Sequence, residues 1–93
     1  MYKLINTNQY KKDLKRIAFD PELVKEINNV VRLLATDDTP LPEKYKDHSL
    51  KGKYLGLREC HIRPDWLLIY KKEKQILTLA LIRTGTHSDL FKK

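Results

Sequence analysis

The tripeptide Asp20-Pro21-Glu22 constrains this chain more than any other feature. Asp20 can cap a helix with its side-chain oxygen, and Pro21 suits a first helical turn, where its missing N–H costs nothing. Glu22 favours the positive end of the helix dipole. A new helix therefore starts here, whatever precedes it. Downstream, Leu23, Val24, Ile27, Val30, Val31 and Leu34 recur at three- and four-residue spacing and make one apolar stripe. Upstream, Asn6, Thr7 and Asn8 offer caps for an earlier helix over about residues 8–19. Tyr10, Leu14, Ile17 and Ala18 fall at helical spacing there, and Lys11, Lys12, Lys15 and Arg16 lie mostly on other faces. So short a link predicts an antiparallel helix pair, whose stripes need an apolar surface to cover.

The rest of the chain supplies it as strands. Residues 2–6 form one candidate, and three more run over about 54–62, 65–72 and 75–83, with turns at Arg63-Pro64 and Lys72-Glu73-Lys74. In the last of these, Ile76, Thr78, Ala80 and Ile82 alternate with Leu77, Leu79, Leu81 and Arg83, which predicts two largely covered faces. Trp66 to Tyr70 reads as a buried strand, with Trp66 in the core. The order β-α-α-β-β-β predicts an α+β fold, a mainly antiparallel sheet with the helix hairpin packed on one face. At 93 residues the chain is expected to be a single domain, 1–93, with one modest core and little room for a deep cavity. Thr36 to Lys53, with Asp37, Asp38, Pro40, Pro42 and Gly52, reads as a long loop, and length of that kind in a compact domain often carries function. Gly85-Thr86-His87-Ser88 reads as another loop, with Ser88 placed to cap a last short turn.

Charge narrows the partners. Lys and Arg total 19 against 12 acidic residues, a net charge of +7, so polyanions such as RNA, DNA, an acidic protein or a membrane surface are the natural counterparts. The single cysteine, Cys60, excludes an internal disulfide framework and a cysteine-rich zinc module, and packs as a small apolar group. No apolar signal segment opens the sequence, and runs such as Trp66 to Tyr70 are too short to span a bilayer. The expected compartment is the reducing cytoplasm, with no membrane partner.

Three histidines stand outside the predicted helices: His48 in the long loop, His61 at a strand end, and His87 after the last strand. Asp65 lies across the Arg63-Pro64 turn from His61, and Arg83 ends the last strand. This inventory suits RNA cleavage by transesterification. A 2′-hydroxyl must lose a proton as it attacks phosphorus, the departing 5′-oxygen must gain one, and the phosphoryl oxygens need a fixed cation. Histidine can do either proton task near neutrality. Arginine presents a fork matched to phosphate, and aspartate can act as base or orient an imidazole. No metal or other cofactor is required. Each residue also has a plainer role: solvated loop histidines, a turn-capping Asp65, a solvated Arg83. The histidines and Asp65 do not form a known metal-ligand motif. Phe91 and Trp66 could stack on unpaired bases. Phe91, near the end of the chain, is the less easily explained by packing. Lys11, Lys12, Lys15, Arg16, Lys44, Lys46, Lys51 and Lys53 could grip phosphates.

His61-Ile62-Arg63-Pro64-Asp65-Trp66-Leu67-Leu68-Ile69-Tyr70, together with Arg83-Thr84-Gly85-Thr86-His87-Ser88-Asp89-Leu90-Phe91 and His48-Ser49-Leu50-Lys51-Gly52, resembles the YafQ branch of the RelE/ParE toxin superfamily over essentially the whole chain. The resemblance implies the toxin of a type II toxin–antitoxin system. Such a toxin is an endoribonuclease that cuts mRNA in the ribosomal A site without metal and is silenced by an acidic, partly disordered antitoxin. It implies catalytic roles for His48, His61, Asp65 and His87 and a substrate contact for Phe91. Arg83, Lys51 and Lys53 are expected to bind phosphate.

Three other readings compete: a non-catalytic toxin of the gyrase-inhibiting ParE type, a metal-dependent hydrolase, and a basic domain that only docks an acidic protein. The first does not need three histidines and an aspartate in loops and strand ends. Chelator sensitivity would mark the second, and partner binding without effect on RNA the third.

Overall fold

A computed structural model describes residues 1–91. Strand β1 (Lys3–Asn6) leads into helix α1 (Asn8–Arg16), which Thr7 caps by accepting from the Tyr10 backbone N–H at 3.1 Å. Helix α1 stops short of the expected residue 19, and Ala18 and Phe19 are exposed. The chain must turn before the next helix: the Asp20 N–H donates to the Ile17 carbonyl at 2.9 Å, and Asp20 Oδ1 then accepts from the Leu23 N–H at 3.2 Å. Helix α2 (Pro21–Thr36) follows, with Leu23, Ile27, Val30, Val31, Leu34 and Ala35 buried.

The sheet has five strands in the order β1-β5-β4-β3-β2. Strands β3 (Arg58–Arg63), β4 (Trp66–Glu73) and β5 (Thr78–Gly85) form an antiparallel meander, and β1 pairs with β5 in parallel. The α+β hairpin-on-sheet architecture is as the sequence predicts. The segment expected to be one long loop contains single 3₁₀ turns at Glu43–Tyr45 and Gly52–Tyr54, and between them strand β2 (His48–Ser49), which pairs with Glu59 and Arg58 of β3. Two polar residues give no alternation from which a strand could be read. The strand expected from residue 54 begins at Arg58, because Gly52 at φ +66° turns the chain into the second 3₁₀ element. The last strand begins at Thr78, not 75. Leu77 is left-handed at φ +49° and, with Ile76, exposed, so apolar alternation there runs on into a turn.

The predicted alternation of β5 also breaks. Tyr70 faces Leu81 but Ile69 faces Arg83, leaving Ile82 as an extra residue, a β-bulge. Leu79 and Leu81 lie in the main core with Tyr2, Tyr10, Ile27, Cys60, Leu68 and Tyr70. Ile82 joins Leu67, Ile69, Leu90 and Phe91 in a second, smaller one, which Leu50, Tyr54 and Leu57 complete. Complete burial of a side chain such as Ile27 or Ile69 stabilises by about 1.5–3 kcal/mol. A short terminal helix, α3 (His87–Leu90), covers part of the second cluster. Its cap is Thr86, not the expected Ser88: Thr86 Oγ1 accepts from the Asp89 N–H at 3.1 Å and Asp89 Oδ2 accepts from the Thr86 N–H at 3.0 Å. Among the described residues, no helix is long and apolar enough to cross a membrane.

Candidate active site

Sheet register brings the sequence-distant candidates into rows. His48 pairs with Glu59, Glu59 with Ile69, and Ile69 with Arg83; two residues along, His61 pairs with Leu67 and Leu67 with Gly85. Laterally paired residues share a sheet face. Adjacent strands lie about 4.8 Å apart, so the backbone before α3 stands about 10 Å from that of His61. The bulge at Ile82 sets Arg83 opposite Ile69; unbroken alternation would have left it in step with Leu79 and Leu81.

Within the first row lies a side-chain arrangement the sequence did not disclose. Glu59 is buried, and its Oε1 stands 3.4 Å from His48 Nε2 and 3.6 Å from His61 Nε2. The two rings are 6.3 Å apart between centroids. Each is fixed from behind: His48 Nδ1 meets the Lys46 carbonyl at 2.7 Å, and His61 Nδ1 meets the Pro64 carbonyl at 3.3 Å. A carbonyl only accepts, so in both rings Nδ1 carries the hydrogen and Nε2 is the nitrogen free to gain a proton. An imidazolium formed at either Nε2 meets the Glu59 carboxylate directly. Lys46 reaches its position through a left-handed backbone, φ 49° and ψ 44°, uncommon for a residue with a Cβ and found where the surroundings impose it.

The second cluster is aromatic. The His87 ring lies over Phe91 at 4.7 Å between centroids, and Phe91 meets Tyr54 edge-on at 5.4 Å. Tyr54 Oη donates to the Leu90 carbonyl at 3.0 Å, tying the Gly52–Tyr54 turn to α3. Phe91 therefore has a packing role the sequence did not reveal, yet stays half-buried beside an exposed His87. Lys53 lies over the Tyr54 ring at 5.2 Å, and Lys51 is exposed in the same turn.

Arg83 is held from the side. Its Nε and Nη2 donate to Asp13 Oδ2 and Oδ1 at 3.2 and 3.0 Å, which keeps the guanidinium firmly charged. The Asp13 side chain is 1% exposed and accepts from the Thr84 N–H as well, at 3.0 Å. Trp66 is half-buried against the main core and donates from Nε1 to Thr84 Oγ1 at 2.8 Å. Asp65 sits exposed on the turn; the carbonyl of Pro64 meets the His61 ring there. Burial pushes the Cys60 thiol far up, so it stays protonated and inert.

Of the sequence candidates, the fold sets His48 and His61 on either side of Glu59, His87 against Phe91 and Arg83 against Asp13, while Asp65 stays exposed on its turn; Glu59, Tyr54 and Asp13 were not among those candidates. Asp13 carried a faint signal, an acid at helical spacing from Tyr10 and Ile17 on the apolar stripe. Glu59 precedes Cys60 in a strand whose face could not be assigned without its register.

The fold is thus an α+β domain that gathers histidines, an arginine and aromatics around one end of its meander. Residues 2–92 match the family described as "Bacterial toxin of type II toxin-antitoxin system, YafQ", and the chain belongs to that family. The mRNA interferase toxin YafQ of Escherichia coli K12 is 40% identical over 85 residues, 91% of this chain and 90% of the relative. The toxin in the E. coli DinJ–YafQ toxin–antitoxin complex superposes with a TM-score of 0.85 at 38% identity, covering 97% of each chain. A metal-bound toxin from Helicobacter pylori superposes at 0.87 with 45% identity, covering 98% of this chain and all of the other. Among the described residues of this chain, no group of three or more His, Cys, Asp or Glu side chains is placed to hold a metal ion.

Proposed function

We propose that this type II toxin is a ribosome-dependent endoribonuclease that cleaves mRNA in the ribosomal A site by acid–base transesterification, with its own side chains as base, acid and cation. The carrying observation is Glu59 between His48 and His61, each imidazole held so that Nε2 is the nitrogen free to take a proton. His61 removes the 2′-proton as the oxygen attacks phosphorus, and Glu59 stabilises the imidazolium that forms. Asp65, on the turn that fixes His61, assists at the substrate. His48 and Arg83 face the charge that builds on the phosphoryl oxygens. His87 protonates the departing 5′-oxygen. Phe91 offers a face to a base, and Lys51 and Lys53 draw in the backbone. The products are a 2′,3′-cyclic phosphate and a 5′-hydroxyl.

Positioning by the ribosome fits catalytic groups that are carried on a sheet edge and on exposed turns. The net charge of +7 suits a polyanionic substrate and an acidic cognate antitoxin that associates quickly and silences the toxin. Cytoplasmic action follows from both. A gyrase-inhibiting reading has no use for paired imidazoles around a buried carboxylate.

The test is induction in cells without the antitoxin, alongside His87→Ala, with mRNA 5′-ends mapped by primer extension. Growth arrest with discrete in-frame cuts for the unaltered protein alone is the expected result. Arrest by both proteins without new cuts would favour the non-catalytic reading. A substrate with an activated 5′-leaving group should restore cleavage by His87→Ala; no restoration removes His87 from the acid role.

A further inference from the structure

A cleft of about 450 Å³ opens beside His61, walled by Glu26 and Asn29 of α2, Lys44 and Tyr45 of the first 3₁₀ turn, Lys46 after it, and Arg63 and Pro64. Its size is within the range that holds a small ligand or one nucleotide. Its chemistry is mixed in a specific way. Arg63 is already engaged: its Nε donates to Glu26 Oε1 at 2.5 Å, and its Nη1 lies 3.8 Å from Asp20 Oδ2. Lys44 and Lys46 are exposed at the rim, Lys44 over the Tyr45 ring at 5.1 Å. Strand β2 pairs only with Arg58 and Glu59, so among the described residues no strand covers the outer side of Cys60–Arg63; the first 3₁₀ turn packs beside β3 instead, and the cleft is lined from both.

We infer that this cleft is a second nucleotide subsite, which takes the residue next to the cleaved bond and holds its phosphate between Lys44 and Lys46. The inference rests on the endoribonuclease reading and extends it. His61 supplies the continuity, since its ring borders the Glu59 site and also lines the cleft; an RNA strand lying over His61 has the cleft as its next recess. The Tyr45 ring and the Asn29 amide are what a base uses, and two rim lysines are what a phosphate uses. Lys46 links the two sites: it lines the cleft, and its carbonyl fixes His48.

The test pairs the variant Lys44→Gln/Lys46→Gln with messages on programmed ribosomes, each carrying one neutral methylphosphonate at successive positions around the cut. Both lysines are exposed, and a circular dichroism melt confirms folding. In single-turnover cleavage the unaltered protein should lose about tenfold in half-saturating concentration when one flanking phosphate is neutralised. The double variant should start about tenfold weaker and lose nothing more at that same position, while other positions keep their effects. Its salt dependence should fall by a slope of roughly 1. Equal losses for both proteins at every position would mean the lysines attract RNA only generally, and would overturn the subsite. Unchanged RNA parameters with weakened binding of the acidic antitoxin would reassign the cleft to the protein partner. If the unaltered protein cuts no message at all, the endoribonuclease reading falls first and the subsite with it.

Discussion

Asp13 holds Arg83 by two hydrogen bonds across 70 positions of sequence, and its carboxylate is sealed from solvent beneath α1. A buried carboxylate is costly unless fully partnered; here Arg83, the Thr84 N–H and Gln9 Nε2 partner it. Asp13→Asn keeps the shape and removes the charge opposite the guanidinium. Urea unfolding should show a loss of about 3 kcal/mol, and cleavage should fall further than the loss of folded protein explains. Unchanged cleavage by the folded variant would mean Arg83 finds its place without Asp13.

Glu59 tests the paired imidazoles. Glu59→Gln leaves an amide where the two Nε2 atoms find a carboxylate at 3.4 and 3.6 Å. Single-turnover cleavage should drop by about 100-fold, the scale of a general acid–base contribution, with little change in message binding. A drop in binding alone would place Glu59 outside the proton chemistry.

At Gly85 the terminal helix α3 packs closely on the sheet. A Cβ built there meets Asp89 Cβ at 3.0 Å and Leu90 Cδ2 at 3.3 Å, so Gly85→Ala must push the terminal turn outward. The expected cost in global stability is about 1 kcal/mol. Cleavage should suffer more, since His87 and Phe91 ride on that turn. Hydrogen exchange at the Leu90 and Phe91 amides, which donate to Thr86 and His87, should speed up selectively. Protection equal to that of the unaltered protein would show that the helix absorbs the methyl group.

Alkaline stability should carry the signature of Tyr10. Its hydroxyl is pushed up from 10.0 to about 12 by burial first and by the nearby Asp13 second. The folded state therefore prefers the protonated phenol more strongly than the unfolded chain does. The associated stability is complete below pH 10 and drains away as pH rises from 10 toward 12. On the order of 2 kcal/mol is at stake. The urea midpoint should fall across that window, and Tyr10→Phe should lessen the fall, leaving the share of Tyr2 and Tyr70, whose hydroxyls are also pushed up, Tyr2 chiefly by its hydrogen bond to Asp38 and Tyr70 chiefly by burial. An equally steep fall in Tyr10→Phe would assign the loss to other groups.

Asp20-Pro21-Glu22 and the stripe from Leu23 to Leu34 determined by themselves a helix start, a hairpin and the need for a sheet beneath it, because capping and helical periodicity are local physics. The three long strands were legible from their apolar runs, but His48, expected in a loop, lies in β2, Arg83, expected at a strand end, lies two residues inside β5, and His87, expected in a loop, opens α3. Strand β2 was not legible, since two polar residues become a strand only when Arg58 and Glu59 offer a partner. The bulge at Ile82 was not, because the sequence alternates straight through it and only pairing with Ile69 and Tyr70 counts the extra residue. Glu59 between the histidines, Asp13 beneath Arg83 and the cleft beside His61 were decided by register and packing. Each joins residues far apart in sequence, and it is the folded sheet that sets which of them face one another.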